Sequence, residues 1–266
     1  MDKIMSMGTS VAESGLHNIA IVGASGQMGG LFHKDFTALG CAVSPLDRAS
    51  TDEDMAEALD GCDLLLLCVP VTAMDAVLDK VTPLISDRTI LCDVGSVKML
   101  PMKAMRRRHD GPVVGTHPLF GPVIPENFTP KVALAAGRPA DRSAAVRVAS
   151  LFEACGYACF ETTAEEHDRA MAIIQGLNFT STVAFLAAAR DVEHIENFVT
   201  PSFMRRLESA RKMLTMDSEL FEIISEANPF LQETNRKFLS YLSLAAGGDL
   251  DLLADRAQWW WHNETC

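Results

Sequence analysis

The 266-residue chain is 48% hydrophobic and carries a formal charge of −12. That length and apolar content support one large core or two modest ones, and the acidic balance argues against a nucleic-acid partner. If the substrate is an anion, particular arginines must overcome a repulsive background.

Residues 1–16 are Met/Ser/Gly-rich without an apolar signal core and read as a disordered lead-in. The longest apolar runs, such as 64–70, are too short to span a bilayer, so no membrane partner is expected. Seven scattered cysteines, without metal-ligand spacing at Cys155 and Cys159, fit a reducing cytoplasm and no metal site.

Residues 18–22 form an apolar strand that runs into Gly23-Ala24-Ser25-Gly26-Gln27-Met28-Gly29-Gly30 and then a helical segment, 31–39. In that order, backbone N–H groups at the helix N-terminus face a pyrophosphate, and glycine lets it come close. The spacing Gly23, Gly26, Gly29 is one residue longer than the usual G-x-G-x-x-G. It predicts a dinucleotide site on Gly23, Ser25, Gly26, Gln27, Met28 and Gly29. A tight strand-to-helix turn without a ligand is the competing reading. The next strand, 41–46, ends at Asp47, near the ~20-residue offset of the acid that binds the adenosine ribose of NAD. A carboxylate there repels a 2′-phosphate, so NAD is expected in preference to NADP. Arg48 could swing out to meet that phosphate.

The continuous apolar run of 63–70 is that of a parallel strand covered on both faces, with Val69 and Pro70 beside the cofactor. A strand at 88–94 and a basic helix at 99–109 follow; the cluster Arg106-Arg107-Arg108 reads as a solvated helix end. The strand at 111–116 ends at His117, in a loop stiffened by Pro118 and Pro122. A histidine at the carboxyl end of such a strand stands where α/β folds bind ligands. Taken singly, it reads equally well as structural. Strands at 131–136 and 157–162 flank a helix at 141–154. The alternation predicts an α/β fold with an N-terminal doubly wound parallel (Rossmann-like) sheet.

From residue 164 only helical periodicity remains. One long helix, 164–189, is capped by Thr163 with Glu166 completing a capping box. Further helices open at Pro201, Asp217 and Pro229, and 250–262 closes with Trp259-Trp260-Trp261. Three consecutive tryptophans cannot all face one core, so at least one is expected at an interface. Apolar residues on several helix faces predict a C-terminal all-helical dimerisation domain and a homodimer. The expected layout is a lead-in at 1–16, a dinucleotide-binding domain at 17–163 and a helical substrate and dimerisation domain at 164–266.

Three more segments carry chemistry. Ser96 follows the 88–94 strand, Glu166-His167-Asp168 opens the long helix, and Arg205-Arg206-Leu207-Glu208 lies on the next one. Singly, Ser96 caps a helix, His167 pairs with a carboxylate, and the arginines are surface charges. Taken in order, the motifs Gly-x-x-Gly-Gln-Met-Gly, Asp-x-x-Ser-Val-Lys, Gly-x-His-Pro-x-Phe-Gly-Pro, Glu-His-Asp-x-x-Met-Ala-x-Ile-Gln and Arg-Leu-Glu resemble the prephenate dehydrogenase family, over residues 18–261. The likeness is greatest to the dehydrogenase part of the bifunctional chorismate mutase–prephenate dehydrogenases. The mutase part is not expected, because only residues 1–16 precede the Rossmann-like part. After Ile-Gln the family continues Ala-Leu-x-His-Phe, whereas this chain has Gly176-Leu177-Asn178-Phe179-Thr180 and lacks that histidine.

The resemblance implies oxidative decarboxylation of prephenate to 4-hydroxyphenylpyruvate in tyrosine biosynthesis, with hydride transfer to NAD. It implies that His117 accepts the proton of the ring hydroxyl, a task suited to a neutral imidazole. Ser96 would donate or relay a second hydrogen bond to that oxygen, and His167 would orient the substrate or the domain junction. Arginine is the bidentate clamp for a carboxylate; the Arg-Leu-Glu match implies Arg206, with Arg205 as the alternative. Lys98 would support the cofactor side. Three other readings stay open: the same chemistry on arogenate or an amino analogue of prephenate, another two-domain reductase, and an NAD-binding protein without turnover. Two-domain hydroxy-acid reductases typically carry a catalytic lysine on the first helix after the Rossmann domain, where this chain has Glu166, His167, Asp168 and Arg169.

Overall fold

The computed structural model describes residues 11–215 and 218–262 of the chain. It divides after Asp168 into two compact units, whereas the sequence places the boundary after Thr163.

The first unit opens with α1 (Val11–Ser14), β1 (Asn18–Val22), α2 (Gln27–Ala38), β2 (Ala42–Leu46), α3 (Asp52–Leu59) and β3 (Leu64–Leu67). It continues with α4 (Met74–Val81), β4 (Ile90–Asp93), α5 (Met99–Arg108), β5 (Val113–Pro118), β6 (Lys131–Ala136), α6 (Arg142–Ala154) and β7 (Ala158–Glu161). Among the described residues, seven strands form one sheet in the order β2-β1-β3-β4-β5-β6-β7. Strands β2 to β5 run parallel, but β6 pairs antiparallel with β5, so the doubly wound parallel sheet turns over at that seam.

Consecutive side chains on a strand face opposite sides, which is why β3 is leucine throughout. Leu64 and Leu66 pack into one core with Phe32, Phe36, Val148 and Phe152. Leu65 and Leu67 pack into the other with Met74, Leu78, Met102 and Met105. The basic end of α5 is pinned rather than purely solvated: Arg108 pairs with Asp75 and Asp79, and Arg106 reaches Asp141.

The lead-in is shorter than its composition suggests. Residues 1–10 lie outside the described residues, but Leu16 and Ser14 are buried. Arg147 of α6 donates from Nε to the Ser14 carbonyl at 2.8 Å and from Nη2 to the Gly15 carbonyl at 2.7 Å. A single buried leucine and a carbonyl clamp make residues 11–16 part of the fold, a packing signal too small to show in composition.

The helix that follows β7 begins with the expected capping box: Thr163 N–H donates to Glu166 Oε2, and Glu166 N–H to Thr163 Oγ1. Helix α7 (Ala164–Met171) passes into a π-helical turn, Ala172–Leu177, and then α8 (Asn178–Ala189). The second unit adds α9 (Pro201–Thr215), α10 (Ser218–Ala227), α11 (Leu231–Gly247), α12 (Leu250–Ala257) and α13 (Trp259–His262). Asp217, expected to open a helix, lies outside the described residues. Within this unit Phe179 stacks on Phe221 with centroids 4.8 Å apart. A Cβ on Gly176 would stand 2.5 Å from Leu231 Cδ1, so the π turn and α11 are in close contact there.

By length and composition the span Ala164–Ala189 is long and apolar enough to cross a membrane, a feature that the shorter uninterrupted runs do not announce. Its apolarity is diluted among Ala, Thr and Ser. Trp259, Trp260 and Trp261 are each more than half exposed in the single chain.

Candidate active site

In a sheet with parallel neighbours the carboxyl ends share one edge, and the sequence delivers its chemistry there from β1, β2, β3, β4 and β5. At the end of β1, Gly23 has φ +85°, and a Cβ on it would lie 2.4 Å from the Cys68 carbonyl oxygen. A Cβ on Gly29 would lie 2.1 Å from the Gly23 carbonyl oxygen. Only glycine allows this turn to bring the start of α2 against the sheet. Gly26, the N-cap of α2, supplies no side-chain cap. The first N–H groups of α2, from Gln27 and Met28 on, are therefore presented without a side-chain acceptor, as an anion site at a helix N-terminus requires. Asp47, following β2, accepts both the Ser25 N–H (3.1 Å) and the Ser25 hydroxyl (2.8 Å). The acid is thereby tied to the glycine turn. Val69 and Pro70 follow β3 at the same edge. The residues present fit a dinucleotide with its pyrophosphate on α2 and its ribose on Asp47.

His117 is placed by β5 itself. The prolines and glycines around it read as a loop, yet His117 and Pro118 are the last residues of β5, with His117 opposite Ala133 of antiparallel β6. The ring is buried. Burial, followed by the neighbouring His167 ring and the Lys98 ammonium, holds its pKa well below the ordinary imidazole range. It is therefore neutral at physiological pH.

A connected set of buried groups surrounds it. His117 Nδ1 lies 2.8 Å from His167 Nε2, and His167 Nδ1 lies 2.8 Å from Asp168 Oδ1. Asp168 also accepts the backbone N–H groups of Lys98 (2.7 Å) and Met99 (2.9 Å) at the start of α5. Lys98 Nζ donates to Asp93 Oδ2 at 2.5 Å and to the Thr116 carbonyl, next to His117, at 2.6 Å. Burial pushes the Asp93 carboxyl upward, opposed by the Lys98 charge and its hydrogen bond, and then by the Gly95 N–H. The histidine pair thus rests on Lys98, Asp93, Thr116 and Asp168. Sequence reasoning assigned none of the last three a role, although Asp93 and Asp168 stand inside the quoted motifs. Lys98, expected toward the cofactor, is engaged in this support.

Removing one partner of a buried ion pair strands the other charge, at roughly 3–5 kcal/mol. Lys98→Met should therefore lower the melting temperature by on the order of 10 °C. A melt within 2 °C of the parent would show that Asp93 is held without it.

Ser96 lies in the loop after β4, half-buried at the same edge, and its hydroxyl bonds to no other described residue. Arg205 and Arg206 belong to the second unit, both exposed on α9. Arg206 lies over the Phe185 ring at 3.6 Å from its centroid. The stack orients the planar guanidinium while leaving its N–H edge available.

The glycine turn, the acid after β2 and the strand-end histidine stand on one edge of a sheet whose order and crossovers are those of a Rossmann-type fold. Comparisons with known proteins narrow this. The family described as "Prephenate dehydrogenase, nucleotide-binding domain" matches residues 41–138. The T-protein of Haemophilus influenzae is 30% identical over 221 residues, covering 80% of this chain and 57% of that protein. The T-protein of Enterobacter agglomerans is 30% identical over 245 residues, covering 88% of this chain and 64% of that protein. This chain therefore spans only about 57–64% of the length of these relatives. A solved prephenate dehydrogenase from A. aeolicus, in complex with hydroxyphenyl propionate and NAD+, shares the fold with a TM-score of 0.65 at 20% identity, over 91% of this chain and 95% of that one. The chain thus carries a region that matches the prephenate dehydrogenase nucleotide-binding domain and resembles the T-proteins along most of its own length.

Proposed function

We propose that this chain oxidatively decarboxylates prephenate to 4-hydroxyphenylpyruvate with NAD, a step of tyrosine formation. The observation that carries the reading is the buried His117, in contact with His167 at the end of β5, at the sheet edge that also holds the glycine turn. NAD, when bound, is the hydride acceptor for the hydroxyl-bearing carbon. His117 Nε2, the ring nitrogen not engaged with His167, takes the hydroxyl proton as the carbonyl forms. Ser96 donates a second hydrogen bond to that oxygen. The bond from the ring to its carboxylate then breaks; its electron pair enters the ring and leaves a phenolate oxygen, to which His117 returns the proton. Arg206, with Arg205 as the alternative, binds a substrate carboxylate. His167 holds His117 in place. The test is NADH absorbance with prephenate and with arogenate, each with NAD and NADP. Signal with prephenate and NAD is expected; turnover of arogenate alone would reassign the substrate, and no signal with either would overturn the reaction.

Asp47 sets the cofactor preference in this reading. Its carboxylate binds both ribose hydroxyls and repels a 2′-phosphate. Asp47→Ser should lower the NAD-to-NADP ratio of kcat/KM by at least about tenfold, since one lost charged hydrogen bond is worth roughly 1.5–3 kcal/mol, with Arg48 meeting the phosphate. A parent enzyme more efficient with NADP would contradict the assignment.

The active species is a homodimer through its helical unit, acting in the cytoplasm. The long apolar helix Ala164–Ala189 is mostly uncovered in the single chain, and three adjacent tryptophans are exposed. Large exposed apolar surface marks an interaction site. The described cysteines are all free thiols, as a reducing compartment keeps them. Light scattering at micromolar concentration should give the mass of two chains; the mass of one would refute the dimer.

A further inference from the structure

We infer that Asp168 is the positioning residue that fixes the tautomers of both histidines and so leaves His117 Nε2 bare to receive the substrate's proton. The inference rests on the proposed role of His117 and adds a residue that does not touch the substrate.

The argument is one of donors and acceptors. The Asp168 carboxylate is buried and already accepts two backbone N–H groups, from Lys98 at Oδ1 and Met99 at Oδ2. A carboxylate that accepts these two N–H groups acts as an acceptor at both oxygens, and a carboxylate has no proton to give. The 2.8 Å contact between Asp168 Oδ1 and His167 Nδ1 is then made by a proton on Nδ1. A neutral imidazole carries one N–H, so His167 Nε2 is an acceptor. The 2.8 Å contact between His167 Nε2 and His117 Nδ1 must be made by the proton on His117 Nδ1. By the same rule His117 Nε2 holds a lone pair. A proton on both nitrogens of His167 would reverse the last step and leave His117 with its proton on Nε2, blocking the base. Lys98, Asp93 and Asp168 are charges that face the pair among the described residues.

The same chain serves the transfer itself. The substrate O–H bond breaks and an N–H bond forms at His117 Nε2, giving an imidazolium. Its positive charge is shared through the Nδ1–H to His167 and faces the carboxylate of Asp168. No proton needs to reach Asp168, which acts by orientation and charge.

Selective 15N labelling of histidine, with His117→Asn to assign the signal, reads the tautomers directly in the full-length protein. Wild type should show His117 protonated at Nδ1 and bare at Nε2, and His167 protonated at Nδ1. His117 with its proton on Nε2 would overturn the inference, whatever the variants do. Asp168→Asn should lower kcat by at least about tenfold with the KM for prephenate and the affinity for NAD within threefold. A purely structural Asp168 predicts a lower melting temperature with kcat of the folded fraction intact, and that result would also overturn it. A double-mutant cycle separates the two further, because Gln at position 167 can accept from His117 without help. In the His167→Gln background the Asp168→Asn loss in kcat should vanish; additive losses would show that Asp168 does not act through His167. If the tautomers are as inferred and wild type turns over neither prephenate nor arogenate, the proposed reaction fails while the tautomer assignment stands.

Discussion

His117→Asn should slow turnover of prephenate by about 10²–10⁴-fold, the range that a positioned general base contributes. At 1.36 kcal/mol per tenfold this is roughly 3–5 kcal/mol of barrier. Asparagine keeps a polar group of similar reach but cannot take up a proton. Binding of prephenate and NAD should stay within a few-fold, so the loss appears in kcat rather than KM. The pH dependence follows from the buried position of the ring. Its pKa is held well below the ordinary ~6.5, so the competent neutral form survives as pH falls, and the acid limb of wild-type activity lies below the usual histidine range. That limb should be missing from the variant. Stability carries the same sign. Below about pH 6.5 the unfolded chain binds a proton at this position and the folded chain does not, so wild type loses stability as pH falls toward the folded pKa. His117→Asn removes that contribution, and its melting temperature should fall less steeply with acid. If the ring only braces the strand end, the variant should instead lose stability and substrate affinity together while keeping the acid limb. Steady-state kinetics and melting curves across pH on the two proteins decide between these outcomes.

The residues that the sequence made legible are those whose identity is forced locally. Gly23 and Gly29 are glycine because a Cβ would strike backbone oxygens, so the turn they build is readable from their spacing alone. The run of leucine in β3 is readable because both faces of a central strand are covered. Thr163 and Glu166 announce a helix start because each completes the other's hydrogen bonds. Features that depend on distant partners stayed hidden. The placement of His117 within β5 depends on β6, which returns antiparallel after residues 119–130, and apolar runs carry no sign of strand direction. The support of the histidine pair joins positions 50 and 70 residues apart in the chain, His117 with His167 and Lys98 with Asp168. Asp168 stood next to a residue already singled out, but only the fold shows that its carboxylate meets both the imidazole and the start of α5. The order of α1 hangs on one buried side chain and on Arg147, more than 130 residues further along.

Arg206→Ala should weaken prephenate binding by about 10- to 150-fold, the equivalent of one charged hydrogen-bonded contact of roughly 1.5–3 kcal/mol. Prephenate is a dianion and the chain carries a net charge of −12, so the long-range field opposes its binding and a specific cation has to overcome it. Arg206 is suited to that task by its seat on Phe185, 3.6 Å below the guanidinium carbon. The stack reduces the side-chain freedom lost on binding and keeps a planar pair of N–H donors for the carboxylate. Affinity for NAD should be nearly unchanged, because the groups proposed to hold it are the glycine turn and Asp47. Arg206→Lys keeps the charge but loses the fork and the stack, and it should recover only part of the loss. Raising the salt concentration should weaken wild-type binding less than the screening of an exposed charge alone would, since the fixed geometry remains. Arg205 makes no ion pair among the described residues and provides the control. Titration of prephenate into Arg205→Ala and Arg206→Ala in parallel identifies the clamp: the loss should fall on Arg206. A loss confined to Arg205 would move the contact one residue along α9, and two variants that bind like wild type would remove both arginines from the substrate's carboxylate.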